Sequence, residues 1–203
     1  YQFNKSYESN VIERNIFLTC SALEFQLSHN DVLNKKPIFK TKNSFTCKAL
    51  SNKKRNIALV IGASWESKKY PLDKFIELIN SNLNYNFLVL SGNTDEFNDA
   101  QYIASKSQST AIEPSSIKNL ISLISKVDLV IGNDTGPTHI AWAQNISSIT
   151  LFGPTNERMI CQTQKNLFIK SPSIVNINKI DKNDFSIKDI DVKEINKLME
   201  QLL

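Results

Sequence analysis

The segment from Gly132 to His139 concentrates groups that can bind a polar ligand: two glycines, a carboxylate, two hydroxyls and an imidazole. The apolar run before it, residues 129–131, is typical of a buried parallel strand. Asp134 and Thr135 are good N-cap residues, and Pro137 is tolerated in the first turn of a helix. A helix that begins here presents free N–H groups and roughly half a positive charge, which favours an anionic ligand.

Three other predicted strands end in a similar way, with a glycine and small polar neighbours at residues 62–64, 91–93 and 153–155. Parallel strands end at one edge of a sheet, and ligands of open α/β sheets bind outside that edge. We therefore expect the four strand ends to line a single crevice. Gly132 and Gly136 permit backbone conformations that are closed to other residues.

The groups around these strand ends suit a diphosphate together with a sugar, as in a nucleotide sugar. Helix N-termini, hydroxyls and lysines can meet phosphates, and carboxylates can accept hydrogen bonds from sugar hydroxyls. The candidate donors are the helix N-termini at Thr94 and Thr135, the hydroxyls of Ser64 and Thr155, and Lys68 and Lys69, and the candidate acceptors are Glu96 and Asp134.

Each of these residues also has a purely structural interpretation. Lys68 and Lys69 can be solvated loop charges, and Glu96 can serve only to complement the dipole of its helix. His139, in the first turn of a helix, can make a structural hydrogen bond as readily as a ligand contact. Trp65 is interpreted as a packing residue rather than as a stacking platform.

Several function classes are disfavoured because their motifs are absent. The sequence has no Gly-x-Gly-x-x-Gly after the first predicted strand and no P-loop, which argues against a dehydrogenase and an NTPase. It has no Gly-x-Ser-x-Gly elbow, so nucleophilic catalysis is not expected. Cys20, Cys47 and Cys161 lie far apart, so neither a zinc site nor a disulfide framework is predicted.

The composition is that of an ordinary globular protein, with 203 residues, 41% hydrophobic content and a net charge of +4. Lys and Arg are scattered, so no nucleic-acid partner is predicted. No apolar run approaches the roughly 18 residues of a membrane span, and no signal peptide is recognisable. A cytoplasmic location is expected, and the start at Tyr1 suggests a piece of a longer chain.

Predicted strands and helices alternate from residue 56 onward. This alternation indicates an α/β fold: a Rossmann-like parallel sheet with helices on both faces. Residues 1–55 are interpreted as an interdomain helix, near residues 10–26, and a polar connector. Residues 56–203 form the main domain. Its predicted helices lie near residues 72–83, 95–107, 116–124 and 192–203. Its predicted strands lie near residues 56–61, 86–90, 110–112, 129–131 and 148–152, and short extended segments are predicted near residues 167–169 and 174–177.

The order and spacing of these motifs resemble the ADP-heptose:lipopolysaccharide heptosyltransferases of glycosyltransferase family 9, type I more than type II. The resemblance covers residues 56–160 closely. Such enzymes have a GT-B fold with two facing Rossmann-like domains, so the resemblance implies that this chain is the C-terminal, donor-binding half. The matching segments are residues 62–64, 68–71, 91–93 with Glu96, 132–139 and 151–155.

The resemblance assigns roles to individual residues. Ala63 and Ser64 stand where the family commonly has two adjacent hydroxyls, and Tyr70 replaces its usual Trp. The resemblance implies that Ser64 and Lys68 meet the diphosphate and that Glu96 holds the adenosine ribose. It places Asp134, Thr135, Gly136 and His139 around the heptose and diphosphate.

The implied activity is inverting transfer of heptose from ADP-heptose to the lipopolysaccharide inner core, Kdo-lipid A. The resemblance implies no cofactor and no metal besides this substrate. The family's general base is an Asp of the N-terminal domain, so no catalytic residue is expected in this chain, which alone should be inactive. The acceptor would bind through the missing domain, and peripheral association with the cytoplasmic face of the inner membrane is compatible with this role.

Two alternatives remain open from the sequence. One is a related GT-B glycosyltransferase that uses another nucleotide sugar, which a preference for UDP over ADP would indicate. The other is a non-catalytic module that binds a sugar nucleotide. The reading frame upstream of Tyr1 discriminates this module from the enzyme, because only the enzyme requires an additional domain there.

Overall fold

The computed structural model describes residues 9–40 and 46–203, and a six-stranded sheet lies at its centre. The strands are β1 (Asn56–Val60), β2 (Asn86–Leu90), β3 (Ser109–Ile112), β4 (Leu129–Asn133), β5 (Ser147–Phe152) and β6 (Asn166–Lys170). The helices are α1 (Val11–Leu23), α2 (His29–Leu33), α3 (Leu72–Asn80), α4 (Thr94–Lys106), α5 (Ile117–Ile124), α6 (Gly136–Ala143) and α7 (Val192–Leu202).

The strands lie in the order β3-β2-β1-β4-β5-β6, and every neighbouring pair is parallel. The central strands β1 and β4 are buried along their whole length, as expected for strands covered on both faces. The Rossmann-like parallel α/β fold predicted from the sequence is therefore confirmed.

Helices cover both faces of the sheet. Ile57 and Leu59 of β1 belong to one core cluster, which includes apolar residues of α3, α4 and α7. The alternate residues Ala58 and Val60 belong to a second cluster, with residues of α5 and α6. This division follows from the strand period of two, which sends successive side chains to opposite faces. Within the described ranges, no helix is long and apolar enough to cross a membrane.

The differences from the predicted elements are local. Residues 174–177, expected to be extended, form no strand. The connector contains the short helix α2. A reciprocal capping box between Ser28 and Asp31 stabilises its N-terminus. The predicted helix near residues 10–26 ends earlier, since Glu24 adopts a left-handed conformation with φ 55°. Parts of the predicted segment 1–55, residues 1–8 and 41–45, lie outside the described residues.

Lys35 ties the N-terminal segment to the C-terminus of α6. Its Nζ donates to the backbone oxygen of Trp142 at 2.6 Å and to Asn145 Oδ1 at 2.5 Å. Phe39 and Gln144 add a reciprocal pair of hydrogen bonds, at 2.8 and 3.1 Å. A cation at a helix C-terminus satisfies carbonyl groups and complements the dipole, so Lys35 acts as a cap for α6.

Gly132 permits the close approach of β4 to β1. A Cβ atom at this position would overlap with the backbone oxygen of Val60 and lie 2.6 Å from Val60 Cβ. This glycine does not use its conformational freedom, because among the described residues no glycine has a positive φ. Gly136 shows the contrast, since a Cβ there would have no atom within 4 Å.

We predict that Gly132→Ala lowers the free energy of unfolding by about 1–3 kcal/mol, because backbone atoms of two paired strands would have to move apart. Gly136→Ala is the matched control and should stay within about 1 kcal/mol of the wild type or exceed it, since alanine favours helix. Urea unfolding followed by circular dichroism measures both values. Equal losses in the two variants would contradict the close-approach argument.

Candidate functional site

The candidate site lies between β1 and β4, where the order of the sheet reverses. β1 leads to β2 on one side and pairs with β4 on the other, and ligands of open α/β sheets bind at the carboxyl ends of strands that meet in this way. After β1, a 3₁₀ turn, Glu66–Lys68, carries Lys68, and Asp134 directly follows β4. Pairing of the two strands thus brings together residues that are 66 positions apart.

Asp134 is the centre of a buried hydrogen-bond network. Its Oδ2 accepts from Lys68 Nζ at 2.8 Å and from Thr155 Oγ1 at 3.0 Å. Its Oδ1 lies 3.1 Å from His139 Nε2. The side chains of Lys68 and Asp134 are 9% and 5% exposed, whereas that of His139 is 36% exposed. His139 is therefore the part of the network that a ligand in solvent can reach most easily.

These partners keep Asp134 ionised. Burial alone would raise the pKa of its carboxyl, but the hydrogen bond from His139 and the charge of Lys68 outweigh burial and lower that pKa to about 2. A carboxylate with so low a pKa is a weak base at neutral pH. Asp134 is therefore suited to accepting hydrogen bonds and holding charge, and poorly suited to removing a proton from a substrate.

Asn133 fixes the loop that carries Lys68. Its side chain is fully buried, and its Oδ1 accepts from the backbone N–H of Tyr70 at 3.0 Å. Its Nδ2 donates to the backbone oxygens of Ile61 at 2.7 Å and Gly62 at 3.3 Å. The amide thus spans both ends of the loop. Sequence reasoning missed this role, although a polar residue at the end of a buried strand needs such partners.

The first turn of α6 lies beside Asp134. Thr135 is the N-cap residue, and Gly136, the first helical residue, is exposed. Thr138 Oγ1 accepts from the backbone N–H of Thr135 at 3.3 Å and donates to its backbone oxygen at 2.7 Å. This arrangement starts the helix at the edge of the crevice, where its N-terminus favours an anionic group.

Glu96 lies above the ends of β1 and β2. Its Oε2 accepts from the backbone N–H of Gly92 at 2.7 Å, and its carboxylate occupies the space that a side chain at Gly62 would need. Asn93 begins α4 by accepting from the backbone N–H of Glu96 at 2.9 Å. The carboxylate is half-buried at the sheet edge, where it can accept hydrogen bonds from hydroxyls of a ligand.

A sequence model of the family described as Glycosyltransferase family 9 (heptosyltransferase) matches residues 1–185. The chain belongs to glycosyltransferase family 9. Lipopolysaccharide heptosyltransferase 1 of Campylobacter coli is 33% identical over 217 residues, which cover 99% of this chain and 64% of that protein. The heptosyltransferase resemblance inferred from the sequence is thus confirmed.

Solved structures of the family share the fold. The E. coli heptosyltransferase WaaC with ADP matches with a TM-score of 0.74 and 15% identity, over 100% of this chain and 59% of that one. The same enzyme with ADP-2-deoxy-2-fluoro heptose matches with a TM-score of 0.71 and 15% identity, over 99% of this chain and 58% of that one. The family 9 glycosyl transferase of Veillonella parvula DSM 2008 matches with a TM-score of 0.77 and 16% identity, over 100% of this chain and 62% of that one. The chain thus spans about three fifths of the length of these relatives.

The structure of this family 9 chain groups most of the predicted site residues. Asp134 contacts both Lys68 and His139 directly, and Thr135 and Gly136 begin the adjacent helix. Glu96 lies at the ends of the neighbouring strands β1 and β2. The carboxyl ends of β1, β2 and β4 therefore carry these residues at one edge of the sheet, as predicted.

Three further candidates lie outside the contacts between Lys68, Asp134 and His139 or support them. Ser64 is exposed and makes no hydrogen bond with other residues of the described ranges. Lys69 pairs with Glu66 at the surface and lies outside the network. The Thr155 hydroxyl, a candidate phosphate donor, donates its proton to Asp134. The hydroxyl of Thr155 therefore orients the carboxylate instead.

We predict that the stability contributed by the Asp134 charge is lost at low pH. The folded pKa of about 2 lies below the ordinary 3.8, so the contribution is complete above about pH 4 and declines as pH falls toward 2. It amounts to about 2 kcal/mol. Urea unfolding between pH 3 and pH 7 should therefore show the gap between wild type and Asp134→Asn narrowing toward pH 3.

The control is Asp73→Asn, which removes an exposed carboxylate of α3. Its stability difference from the wild type should change little over the same pH range. A gap for Asp134→Asn that stays constant down to pH 3 would show that the network does not hold the carboxyl pKa low.

Proposed function

We propose that this chain is the donor-binding part of a heptosyltransferase that moves heptose from ADP-heptose to the inner core of lipopolysaccharide. Family membership and the identity to the Campylobacter coli enzyme support the reaction class. The solved E. coli relatives contain ADP and an ADP-heptose analogue, which supports an adenosine diphosphate sugar as donor.

The observation that carries the proposal is the buried Lys68–Asp134 pair beside His139 and the N-terminus of α6. A buried ion pair is costly to desolvate, so a role in stability alone does not explain its position at the ends of the strands. Binding of a polar ligand does. The ammonium and the helix N-terminus suit a diphosphate, and the carboxylate and imidazole suit sugar hydroxyls.

Each site residue then has a role in donor binding. Lys68, Ser64 and the N-terminal turn at Gly136 contact the diphosphate. Glu96 accepts from the hydroxyls of the ribose, since a carboxylate above the ends of β1 and β2 can receive them. Asp134, Thr135 and His139 surround the heptose. His139, being the most exposed member of the network, meets the sugar directly.

In the proposed reaction, an acceptor hydroxyl oxygen attacks the anomeric carbon of heptose with inversion. The bond from that carbon to the diphosphate oxygen breaks, ADP leaves, and the hydroxyl proton passes to a general base. Asp134 is a poor candidate for that base, because its pKa is held at about 2. The base therefore comes from outside this site, and the residues described here stabilise the negative charge of the leaving diphosphate.

We expect the chain to bind ADP and to prefer it over UDP. Isothermal titration calorimetry with ADP, ADP-heptose and UDP, at ligand concentrations up to about 1 mM, tests this; weak binding of about 4 kcal/mol would still be measurable there. No heat and no melting shift with either adenosine ligand would contradict donor binding. Tighter binding of UDP would indicate a different nucleotide sugar.

Two adjacent lysines provide a matched test of the site. We predict that Lys68→Met weakens ADP binding at least tenfold, since a charge-assisted contact with the diphosphate is lost. Lys69→Met should bind within about twofold of the wild type, because Lys69 pairs with Glu66 at the surface. Calorimetry gives both affinities, and circular dichroism verifies folding.

Lys68→Met leaves the Asp134 charge buried without its partner, which is destabilising. The double variant Lys68→Met/Asp134→Asn removes both charges and serves as the second test if the single variant unfolds. Wild-type affinity for ADP in either folded variant would remove Lys68 from the binding site.

A further inference from the structure

The ring of Trp65 is shared by two lysines. Lys68 Nζ lies 5.0 Å from its centroid, and Lys182 Nζ lies 5.2 Å from the centroid of the same indole. These are distances of cation–π contacts. The sequence suggested only a packing role for Trp65. In the structure, Trp65 contacts a second ammonium group in addition to that of the lysine in the candidate site.

We propose that Lys182 is a second cationic residue that binds the diphosphate of the nucleotide sugar, held near Lys68 by the Trp65 ring. This inference rests on the proposed function, since it assigns a further contact to the same donor. Lys182 follows β6, far from the sequence motifs of the crevice, and none of those motifs includes it.

The charge balance of the site supports this assignment. The charge of Lys68 is compensated by Asp134 at 2.8 Å, and Lys69 pairs with Glu66. Within residues 9–40 and 46–203, Lys182 has no carboxylate at ion-pair distance. A diphosphate carries more than one negative charge, and Lys68, whose charge is shared with Asp134, compensates only part of it. Lys182 supplies the uncompensated positive charge.

The carboxylates next to Lys182 in sequence are occupied by their own loop. Asp181 Oδ1 accepts from the backbone N–H of Asn183 at 2.8 Å. Asp184 Oδ2 accepts from Ser173 Oγ at 2.5 Å, and hydrogen bonds of this kind lower the pKa of its carboxyl despite partial burial. These hydrogen bonds stabilise the loop. The Lys182 ammonium contacts the Trp65 indole and neither of these carboxylates.

The loop is also anchored beside the turn that carries Lys68. The 3₁₀ turn Ser186–Asp189 packs against the turn Glu66–Lys68. The backbone near Lys182 therefore has a defined position, while its side chain is exposed. A cation–π contact at an exposed site is weak, so the ammonium can leave the ring for a phosphate oxygen at little cost.

The test compares Lys182→Ala with Lys179→Ala. Lys179 is a second exposed lysine of the same segment, so its substitution removes the same charge. Calorimetry measures the binding of ADP and of adenosine, which lacks the diphosphate. We expect Lys182→Ala to weaken ADP binding roughly fivefold and to leave adenosine binding unchanged. Lys179→Ala should match the wild type, and Lys182→Arg should retain most of the ADP affinity.

Salt concentration gives a second readout. The difference in ADP affinity between wild type and Lys182→Ala should shrink as ionic strength rises from about 0.05 to 0.5 M, because an exposed charge is screened. A merely structural role would not produce this dependence.

Three outcomes would overturn the inference. Equal ADP affinities for Lys182→Ala and Lys179→Ala would exclude Lys182 from the diphosphate contact while leaving the donor site intact. Equal losses for ADP and adenosine would show a general effect on the loop. A wild-type chain that binds no ADP would instead overturn the proposed function, and this inference with it.

Discussion

The buried ion pair between Lys68 and Asp134 is the interaction on which the rest of the site depends. Charges removed from water are tolerated only when they are paired and their remaining hydrogen-bonding capacity is used. Here Thr155 and His139 complete the coordination of the carboxylate. Loss of either charged partner would leave the other buried without compensation, so the pair fixes the position of a cation at the mouth of the crevice.

The pair exists because two strands from distant parts of the chain are adjacent in the sheet. Gly132 lets β4 approach Val60 of β1, and Asn133 then holds both ends of the loop that follows β1. The backbone thereby places Lys68 within reach of Asp134 before any ligand arrives. Preorganisation of this kind lowers the ordering cost of binding.

The electrostatics of the network separate binding from proton transfer. Partners that hold the Asp134 pKa at about 2 make its carboxylate a good acceptor and a poor base. Since part of the Lys68 charge is compensated by Asp134, the N-terminus of α6 and cations beside the site add to the attraction of an anionic ligand. A site of this composition suits the binding of a polar, anionic ligand and is poorly suited to removing a proton from it.

The sequence by itself determined the parallel α/β fold and the position of the candidate residues at the strand ends, because strand periodicity and the glycines after the strands are local signals. It also singled out Asp134, Lys68 and His139. The tertiary structure decided their partners: whether Lys68 or Lys69 is buried depends on the course of one loop, and that course depends on the amide of Asn133. The approach of Lys182 to Trp65 depends on how the segment after β6 folds back, and no local pattern encodes such a contact.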